Sequence, residues 1–185
     1  MRIRLHWVMG VLMACMLPAA QAELLNASFE ESSDEEDWFS DQAKHWGRWG
    51  NWINRETGWT PTHSGDCLIG YHHWRIEEKT TSGIYQDVEG TPAGSECTFS
   101  VYVYKDPGTN CEYVELRLEP KGGGNAIASQ FYKMSDLPKG KWKLISVTGR
   151  NEAEGLRVLI IVKPHQEGKR EGAIKFDDAS LECSQ

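Results

Sequence analysis

The chain contains no cluster of basic residues. Its 27 acidic side chains outnumber the 20 basic ones, and the formal net charge is −7. A protein of this charge repels polyanions, so it is a poor candidate for binding nucleic acid or an anionic membrane surface. We therefore expect a partner of another chemical class.

No apolar run reaches the roughly 20 residues that a transmembrane helix needs. The run at the amino end follows arginines at positions 2 and 4 and precedes Ala20-Gln21-Ala22. This layout is typical of a secretory signal peptide, so residues 1–22 are predicted to be a leader and residues 23–185 a single exported domain. The expected location is secreted or periplasmic. A lipid anchor on Cys15 is the alternative, although it leaves a very short apolar region.

Cysteine is sparse, with five in 185 residues, and no two of them form a C-x-x-C pair. Zinc fingers and ribbons require that kind of spacing, so a zinc site is disfavoured. Four cysteines follow the leader, and an even number in an exported protein favours two disulfides with three possible pairings. They are Cys67, Cys97, Cys111 and Cys183.

Long amphipathic helices are also missing. Short runs rich in β-branched and aromatic residues are instead separated by clusters of Gly, Pro, Asn and Asp. Their spacing of about 8 to 16 residues predicts an all-β fold, an antiparallel β-sandwich of two packed sheets. The predicted strands are LLNASFE, GDCLIGY, SGIYQDV, CTFSVYVYK, EYVELRLEP, SQFYKM, KWKLISVTGR, LRVLIIVKP and AIKFDDASLEC.

The alternation of side chains along these runs assigns their faces, because successive residues of a strand point to opposite sides of a sheet. The apolar faces, predicted to form the core, carry Phe99, Val101, Val103, Val114, Leu116 and Leu118. The opposite faces carry Tyr102, Tyr104, Tyr113 and Arg117. LRVLIIV is almost wholly apolar, which indicates a central strand covered on both sides.

Residues 30–62 show little periodicity and many tryptophans. A loop of that length in a compact domain is usually functional or disordered, and disordered segments are poor in aromatic residues. An indole is a rigid apolar plate that stacks on a sugar ring while neighbouring polar side chains bind the hydroxyls. We therefore predict a ligand surface made of Trp46, Trp49, Trp52, Trp59, Trp74 and Arg48.

The alternative for Trp46, Trp49 and Trp52 is one face of a short 3₁₀ turn packed inward, since they stand three residues apart. Glycines at positions 47 and 50 disfavour a regular helix. Trp38 and Trp142 are expected to be structural.

Five segments occur in an order that resembles a known family. They are LLNASFE, THSGDCLIGY, SGIYQDV, PAGSECTFSVYVYK and FDDASL. Together they resemble the jelly-roll carbohydrate-binding modules of the galactose-binding-like superfamily, of the cellulose- and xylan-binding type. The resemblance covers nearly all of residues 24–183, but residues 38–62 form an insertion without a counterpart.

The resemblance implies two places for a sugar. One is the concave face of a sheet, which Tyr102, Tyr104, Tyr113 and Arg117 match by their alternation. The other is the loop edge of the sandwich, which the tryptophan-rich insertion matches.

The resemblance also implies a structural Ca²⁺ that ties the opening strand to the closing one. Glu30 and Asp177 then supply side chains, and a backbone carbonyl between Ser64 and Asp66 completes the set of hard oxygens that calcium prefers. It further implies that Cys97 lies beside Cys183, which leaves Cys67 to pair with Cys111.

The sequence thus predicts a secreted, non-catalytic module that binds a polysaccharide or oligosaccharide. No catalytic residue is assigned, because neither G-x-S-x-G nor H-E-x-x-H occurs and no pair of acids stands out for glycoside hydrolysis. One alternative is a polysaccharide lyase, with His63, Tyr71, His72, Arg75 and Arg117 as candidate residues. Another is an adhesive protein, because Trp, Tyr and Arg also dominate protein interfaces. The oligomeric state is left open.

Overall fold

The computed structural model of the protein describes residues 23–33, 41–50, 53–57, 61–72, 80–165 and 172–184. The residues outside these ranges include the predicted leader with Cys15, and also Trp38, Trp52, Trp59, Trp74 and Arg75. Among the described residues, no helix has the length and apolar character needed to cross a membrane.

The described residues form ten β-strands and a short 3₁₀ turn at Met134–Asp136. The strands are β1 Gly47–Trp49, β2 Ile53–Thr57, β3 Cys67–Tyr71, β4 Ser82–Val88, β5 Glu96–Lys105, β6 Tyr113–Pro120, β7 Ala128–Lys133, β8 Trp142–Arg150, β9 Leu156–Lys163 and β10 Ile174–Ser184. They build two five-stranded sheets in which neighbouring strands are antiparallel. We call β1-β4-β9-β6-β7 the front sheet and β2-β3-β10-β5-β8 the back sheet.

The core lies between the two sheets, where their apolar faces meet. Phe99, Val101 and Val103 of β5 and the alternate apolar residues of β6 are all buried in it. The predicted β-sandwich and the faces assigned by alternation are therefore confirmed. LRVLIIV forms β9, the middle strand of the front sheet, as its apolar character indicates.

The strand boundaries after residue 81 also match the prediction. All seven runs predicted there are strands, and each begins and ends within one residue of its predicted limits. GDCLIGY forms β3, which begins two residues later than expected, at Cys67. These runs are long enough to show their alternation in sequence.

The predicted opening strand is wrong. Residues 25–28 form a turn, and Asn26 and Phe29 have φ angles of 49° and 60°. The Asn26 side chain explains this, because its amide donates to the carbonyls of Glu31 and Lys44 while its oxygen accepts from Glu31 N. These side-chain bonds, of which those to Glu31 are local, take the place of a strand ladder.

β1 and β2 lie inside the stretch that the sequence presents as an aperiodic loop. β1 pairs with β4 at the edge of the front sheet, and β2 pairs with β3 at the edge of the back sheet. A three-residue strand such as β1 is too short to show a period of two, so the sequence pattern does not reveal it.

At the opposite side of the sandwich, β7 and β8 are the edge strands of the two sheets. The Tyr132 hydroxyl of β7 donates to Ser146 O at 2.6 Å and accepts from Ser146 N at 3.0 Å. One phenol therefore satisfies both backbone groups of a residue on β8 and joins the two sheets.

The disulfide prediction is half right. Cys97 and Cys183 face each other across β5 and β10 and are bonded, as the resemblance implies. Cys67 and Cys111 are both buried and form no disulfide with each other, so their predicted pairing is wrong. The reason is topological: Cys67 begins β3 in the back sheet, whereas Cys111 lies just before β6 of the front sheet.

Candidate functional site

The outer face of the front sheet carries side chains in rows, because paired residues of neighbouring strands point to the same side. One row reads Trp49, Gly83, Ile161, Glu115 and Phe131. The next row reads Gly47, Tyr85, Leu159, Arg117 and Ser129. Asp87, Arg157 and Glu119 form a third row.

These rows enclose an open groove of about 460 Å³, which we call the front groove. Trp49 and Tyr85 lie on one side of it and Tyr113 on the other, with Leu159 and Ile161 between them. The groove therefore has aromatic sides, and its centre lies over Leu159 and Ile161, which are only 6% and 3% exposed.

Two glycines allow the aromatic rings to lie against the sheet. A Cβ placed on Gly83 would be 2.2 Å from the Trp49 ring, and one placed on Gly47 would be 2.3 Å from the Tyr85 ring. Each ring thus occupies the space that a side chain on the neighbouring strand would fill. The two ring centroids are 6.3 Å apart.

Arg157 covers the Tyr85 ring and is itself fixed by an acid. Its Cζ lies 4.3 Å from the ring centroid, a cation–π distance. Its Nε and Nη2 donate to the two carboxylate oxygens of Asp87 at 2.9 and 2.7 Å. This hydrogen-bonded arginine lowers the pKa of Asp87, so the carboxylate stays charged and holds Arg157 in place.

Arg117 occupies the floor of the groove in a similar ionic clamp. Its Nε and Nη2 donate to both carboxylate oxygens of Glu115, at 2.7 and 3.0 Å, and its Nη1 donates to Glu119 at 3.2 Å. The Glu115 side chain is 1% exposed and that of Arg117 is 32% exposed. The bond to Glu115 raises the pKa of Arg117, and the remaining guanidinium surface faces the groove.

Tyr113 closes the opposite side together with Phe131 of β7. The two rings meet edge to face with centroids 5.1 Å apart, and Phe131 is 50% exposed. Burial, together with the charges of Glu115 and Glu112, raises the pKa of Tyr113. The phenol therefore remains protonated at neutral pH, able to donate and accept a hydrogen bond.

The structure corrects the expectation for Trp46. This residue is 1% exposed, packs against Phe29 and donates its Nε1–H to the Asn26 carbonyl at 3.1 Å. A spacing of three in extended backbone places Trp46 and Trp49 on opposite faces, so only Trp49 reaches the groove. The alternative in which Trp46 and Trp49 share the inward face of a 3₁₀ turn is therefore wrong for these two residues.

Arg48 is also not in the front groove. Its place between Gly47 and Trp49 directs it to the other side of β1, where Nη1 donates to Asn54 Oδ1 of β2 at 2.7 Å. It joins the edge strands of the two sheets.

Tyr102 and Tyr104 lie on the outer face of the back sheet, opposite Tyr113 and Arg117, so the four residues do not share one face as predicted. The His63 ring stacks on Tyr102 with centroids 3.6 Å apart, and Trp142 contacts Tyr104. Trp142 Nε1 also donates to Pro61 O at 3.1 Å. This back aromatic cluster, His63, Tyr102, Tyr104 and Trp142, fastens residues 61–66 to the back sheet.

The residues expected to bind calcium are surrounded by N–H groups and not by the oxygen ligands that calcium needs. Glu30 Oε1 accepts from the backbone N–H groups of Asp66 and Cys67, both at 3.1 Å. Asp177 Oδ2 accepts from the N–H groups of His63 and Ser64 at 2.8 and 3.2 Å.

The 63–67 segment thus turns amides, not carbonyls, toward both acids, whereas calcium requires six to eight oxygens. Among the described residues, no three Asp, Glu, His or Cys side chains form a metal cluster. Asp177 is fully buried, and burial raises its pKa to about 6.

Sequence reasoning missed several groove residues. Tyr85 and Arg157 alternate within predicted strands, but only the pairing of β4 with β9 brings them to Trp49. Phe131 lies in the short run SQFYKM, in which neither face is clearly apolar, so the sequence did not indicate its exposed position.

No family model and no curated protein matches the sequence. Solved structures do match. The carbohydrate-binding module TmCBM61, in complex with β-1,4-galactotriose, has a TM-score of 0.60 and 17% identity over 88% of this chain and 98% of its own. A CBM4 structure has a TM-score of 0.53 and 16% identity over 86% of this chain and 99% of its own.

An arabinose-bound α-L-arabinofuranosidase, MgGH51, also matches, with a TM-score of 0.61 and 13% identity over 88% of this chain. The match spans 26% of that enzyme's chain. At these identities the comparisons establish the fold, so the chain has the two-sheet jelly-roll architecture that these carbohydrate-binding modules share.

Proposed function

We propose that the protein is a secreted, non-catalytic carbohydrate-binding module whose front groove binds a polysaccharide or oligosaccharide. The observation that carries this proposal is the placement of Trp49 and Tyr85, whose rings lie against Gly83 and Gly47 beside a polar, open groove. The fold shared with carbohydrate-binding modules and the leader-like residues 1–22 support it.

The groove chemistry suits a sugar. The rings of Trp49, Tyr85 and Tyr113 offer surface for the C–H faces of pyranose rings. Arg117 and Arg157 offer N–H donors for hydroxyl groups, and their ion pairs hold them in position before the ligand arrives. Binding then immobilises few additional side chains, which reduces its entropic cost.

The groove is wider than one sugar ring. Tyr85 lies on β4 and Tyr113 on β6, two strands apart, which corresponds to about 10 Å across the sheet. This distance supports an extended ligand of at least two sugar units. Trp52, Trp59 and Trp74 remain predicted ligand residues at the loop edge.

The chemistry of the groove argues against a polysaccharide lyase at this place. Such an enzyme needs a base and a cation free to neutralise a uronate. Of the candidate residues, His63 stacks on Tyr102 of the back sheet and Tyr71 is fully buried. Glu115 and Glu119 already neutralise Arg117. If the protein is instead adhesive, it should bind another protein, and no glycan should slow its migration in affinity gel electrophoresis.

Affinity gel electrophoresis on a panel of plant, algal and bacterial polysaccharides tests the proposal. Trp49→Ala removes one ring from the groove and is expected to weaken binding about 30-fold, as for a tryptophan hot spot of a binding site. Trp142→Phe, on the back sheet, is the matched control and keeps wild-type retardation. Equal retardation of Trp49→Ala and wild type would mean that the sugar binds elsewhere.

A further inference from the structure

Arg55 of β2 lies at the junction where calcium was expected. Its Nε donates to Phe29 O at 2.8 Å and its Nη2 to Glu30 O at 2.6 Å. Its Nη1 donates to Asp41 Oδ2 at 2.7 Å, and its Nη2 also contacts Cys67 Sγ at 2.8 Å. One guanidinium therefore joins the opening segment, the segment at residue 41 and the first residue of β3.

We propose that Arg55 is the resident cation of this junction and takes the place of a bound calcium ion. The opening segment is then held on the sandwich by the chain itself, without a metal. This inference goes beyond the proposed function and does not depend on which ligand the front groove binds.

The backbone around Phe29 is arranged for this cation. Phe29 has a φ of 60°, and its fully buried ring packs on Trp46, which fixes the residue in the left-handed region. In this conformation the carbonyls of residues 29 and 30 both accept from the guanidinium. Backbone carbonyls are also common calcium ligands, but here N–H donors already occupy them.

The charge of Arg55 is already balanced. Its ion pair with Asp41 involves side chains that are only 14% and 19% exposed. A second fixed point joins the same two residues, because Arg55 N donates to Asp41 O at 2.9 Å. A calcium ion bound to the Glu30 carbonyl would therefore lie beside the guanidinium of Arg55, which is held there. Two positive charges so close together repel strongly where little solvent screens them.

The two acids expected to bind the ion have other donors. Glu30 and Asp177 each accept two amide N–H groups from residues 63–67, and Asp177 Oδ1 also accepts from Asp178 N at 2.8 Å. Amide donors stabilise carboxylates without a metal. The 63–67 segment therefore links the opening segment to β10 by hydrogen bonds alone.

The position of Arg55 in the sequence supports the proposal that Arg55 takes the place of a calcium ion. Arg55 lies within residues 38–62, the insertion that has no counterpart in the family resemblance. Asp41, its ion-pair partner, lies in the same insertion. The stretch for which the resemblance offers no counterpart thus supplies both members of the pair.

The first test measures calcium directly on the whole protein after dialysis against EDTA. Calorimetric titration with CaCl₂ is expected to show no stoichiometric binding, and the melting temperature is expected to be the same in EDTA and in calcium. One bound ion per chain together with a higher melting temperature in calcium would overturn the proposal. Failure of glycan binding in both buffers would count against the proposed function alone.

The second test replaces the cation. Arg55→Met breaks a mostly buried pair and is expected to lower the melting temperature by about 10 °C. Arg48→Met, a matched control that loses one hydrogen bond on the neighbouring edge strand, should lower it by about 3 °C. If Arg55→Met does not fold, Arg55→Lys carries the comparison, because lysine keeps the charge but not the fork of donors. An Arg55 variant no less stable than Arg48→Met would refute the role of Arg55.

Discussion

Gly47→Ala tests the front groove with a single methyl group. Gly47 lies on an edge strand, and its added Cβ would lie 2.3 Å from Cζ of Tyr85. Ordinary carbon contacts are about 3.5–4.0 Å, so the ring must move by roughly 1.5 Å. Because Arg157 lies 4.3 Å from the same ring, the displacement also disturbs its pairing with Asp87.

The expected result is a weaker complex with a nearly intact fold. Loss of one aligned aromatic contact costs about 1 kcal/mol, which corresponds to a roughly fivefold rise in Kd for the polysaccharide or oligosaccharide bound. The fold should lose little, since the Gly47 methyl meets only the Tyr85 side chain among its three nearest atoms. Isothermal titration gives the Kd, and thermal unfolding gives the stability.

Gly108→Ala is the control, because a Cβ at Gly108 meets nothing within 4 Å. It should leave both Kd and melting temperature unchanged. Gly83→Ala should be the harsher change, since its methyl would also lie 2.5 Å from the Ile160 carbonyl, which cannot move aside. Wild-type affinity in Gly47→Ala would refute the assignment of Tyr85 to the binding surface.

Three further outcomes follow from the structure. Glu115→Gln removes the buried charged partner of Arg117, so it should lower the free energy of unfolding by about 3 kcal/mol, measured by urea titration. A change below about 1 kcal/mol would show that this ion pair is not what holds Arg117. Reduction of Cys97–Cys183, which are 86 residues apart, should cost about 4.6 kcal/mol by loop entropy, with the Cys97→Ser variant as the check. Asp177 has a pKa raised from 3.8 to about 6, so its protonated form adds stability that is complete below 3.8 and is lost as pH rises through 6. Relative to Asp177→Asn, the wild type should therefore gain unfolding free energy as pH falls through 6, and a pH-independent difference between the two would contradict the shift.

The sequence could predict the strands that are long enough to alternate. β5 and β6 each have eight or more residues, and their apolar faces were assigned correctly because a period of two is visible over that length. β1 has three residues and shows no period, so an edge of the front groove was missed.

Alternation alone does not say to which sheet a face belongs. Tyr102 and Tyr113 each lie on the side of their strand that faces away from the core. Tyr102, however, is on the back sheet and Tyr113 is on the front sheet. Strand order depends on pairings between residues far apart in the chain, such as β4 with β9, which one sequence does not display. Of the residues that line the front groove, Trp49, Tyr113 and Arg117 are among the ligand residues predicted from the sequence.

The family resemblance predicted the bonded pair Cys97–Cys183. It also predicted a calcium ion, which Arg55 replaces in our proposal. Arg55 and Asp41 were not candidates, because both lie in the insertion where the resemblance gave no guide. This stretch is therefore where our proposal and the family resemblance differ.

The Tyr132 hydroxyl has a consequence for how copies of the protein behave when crowded. An open strand edge normally invites another chain to add to the sheet. At the middle of β8 both backbone groups of Ser146 are already occupied by the phenol. A second molecule must break two hydrogen bonds before it can add a strand there, so this side of the sandwich resists fibre-like stacking.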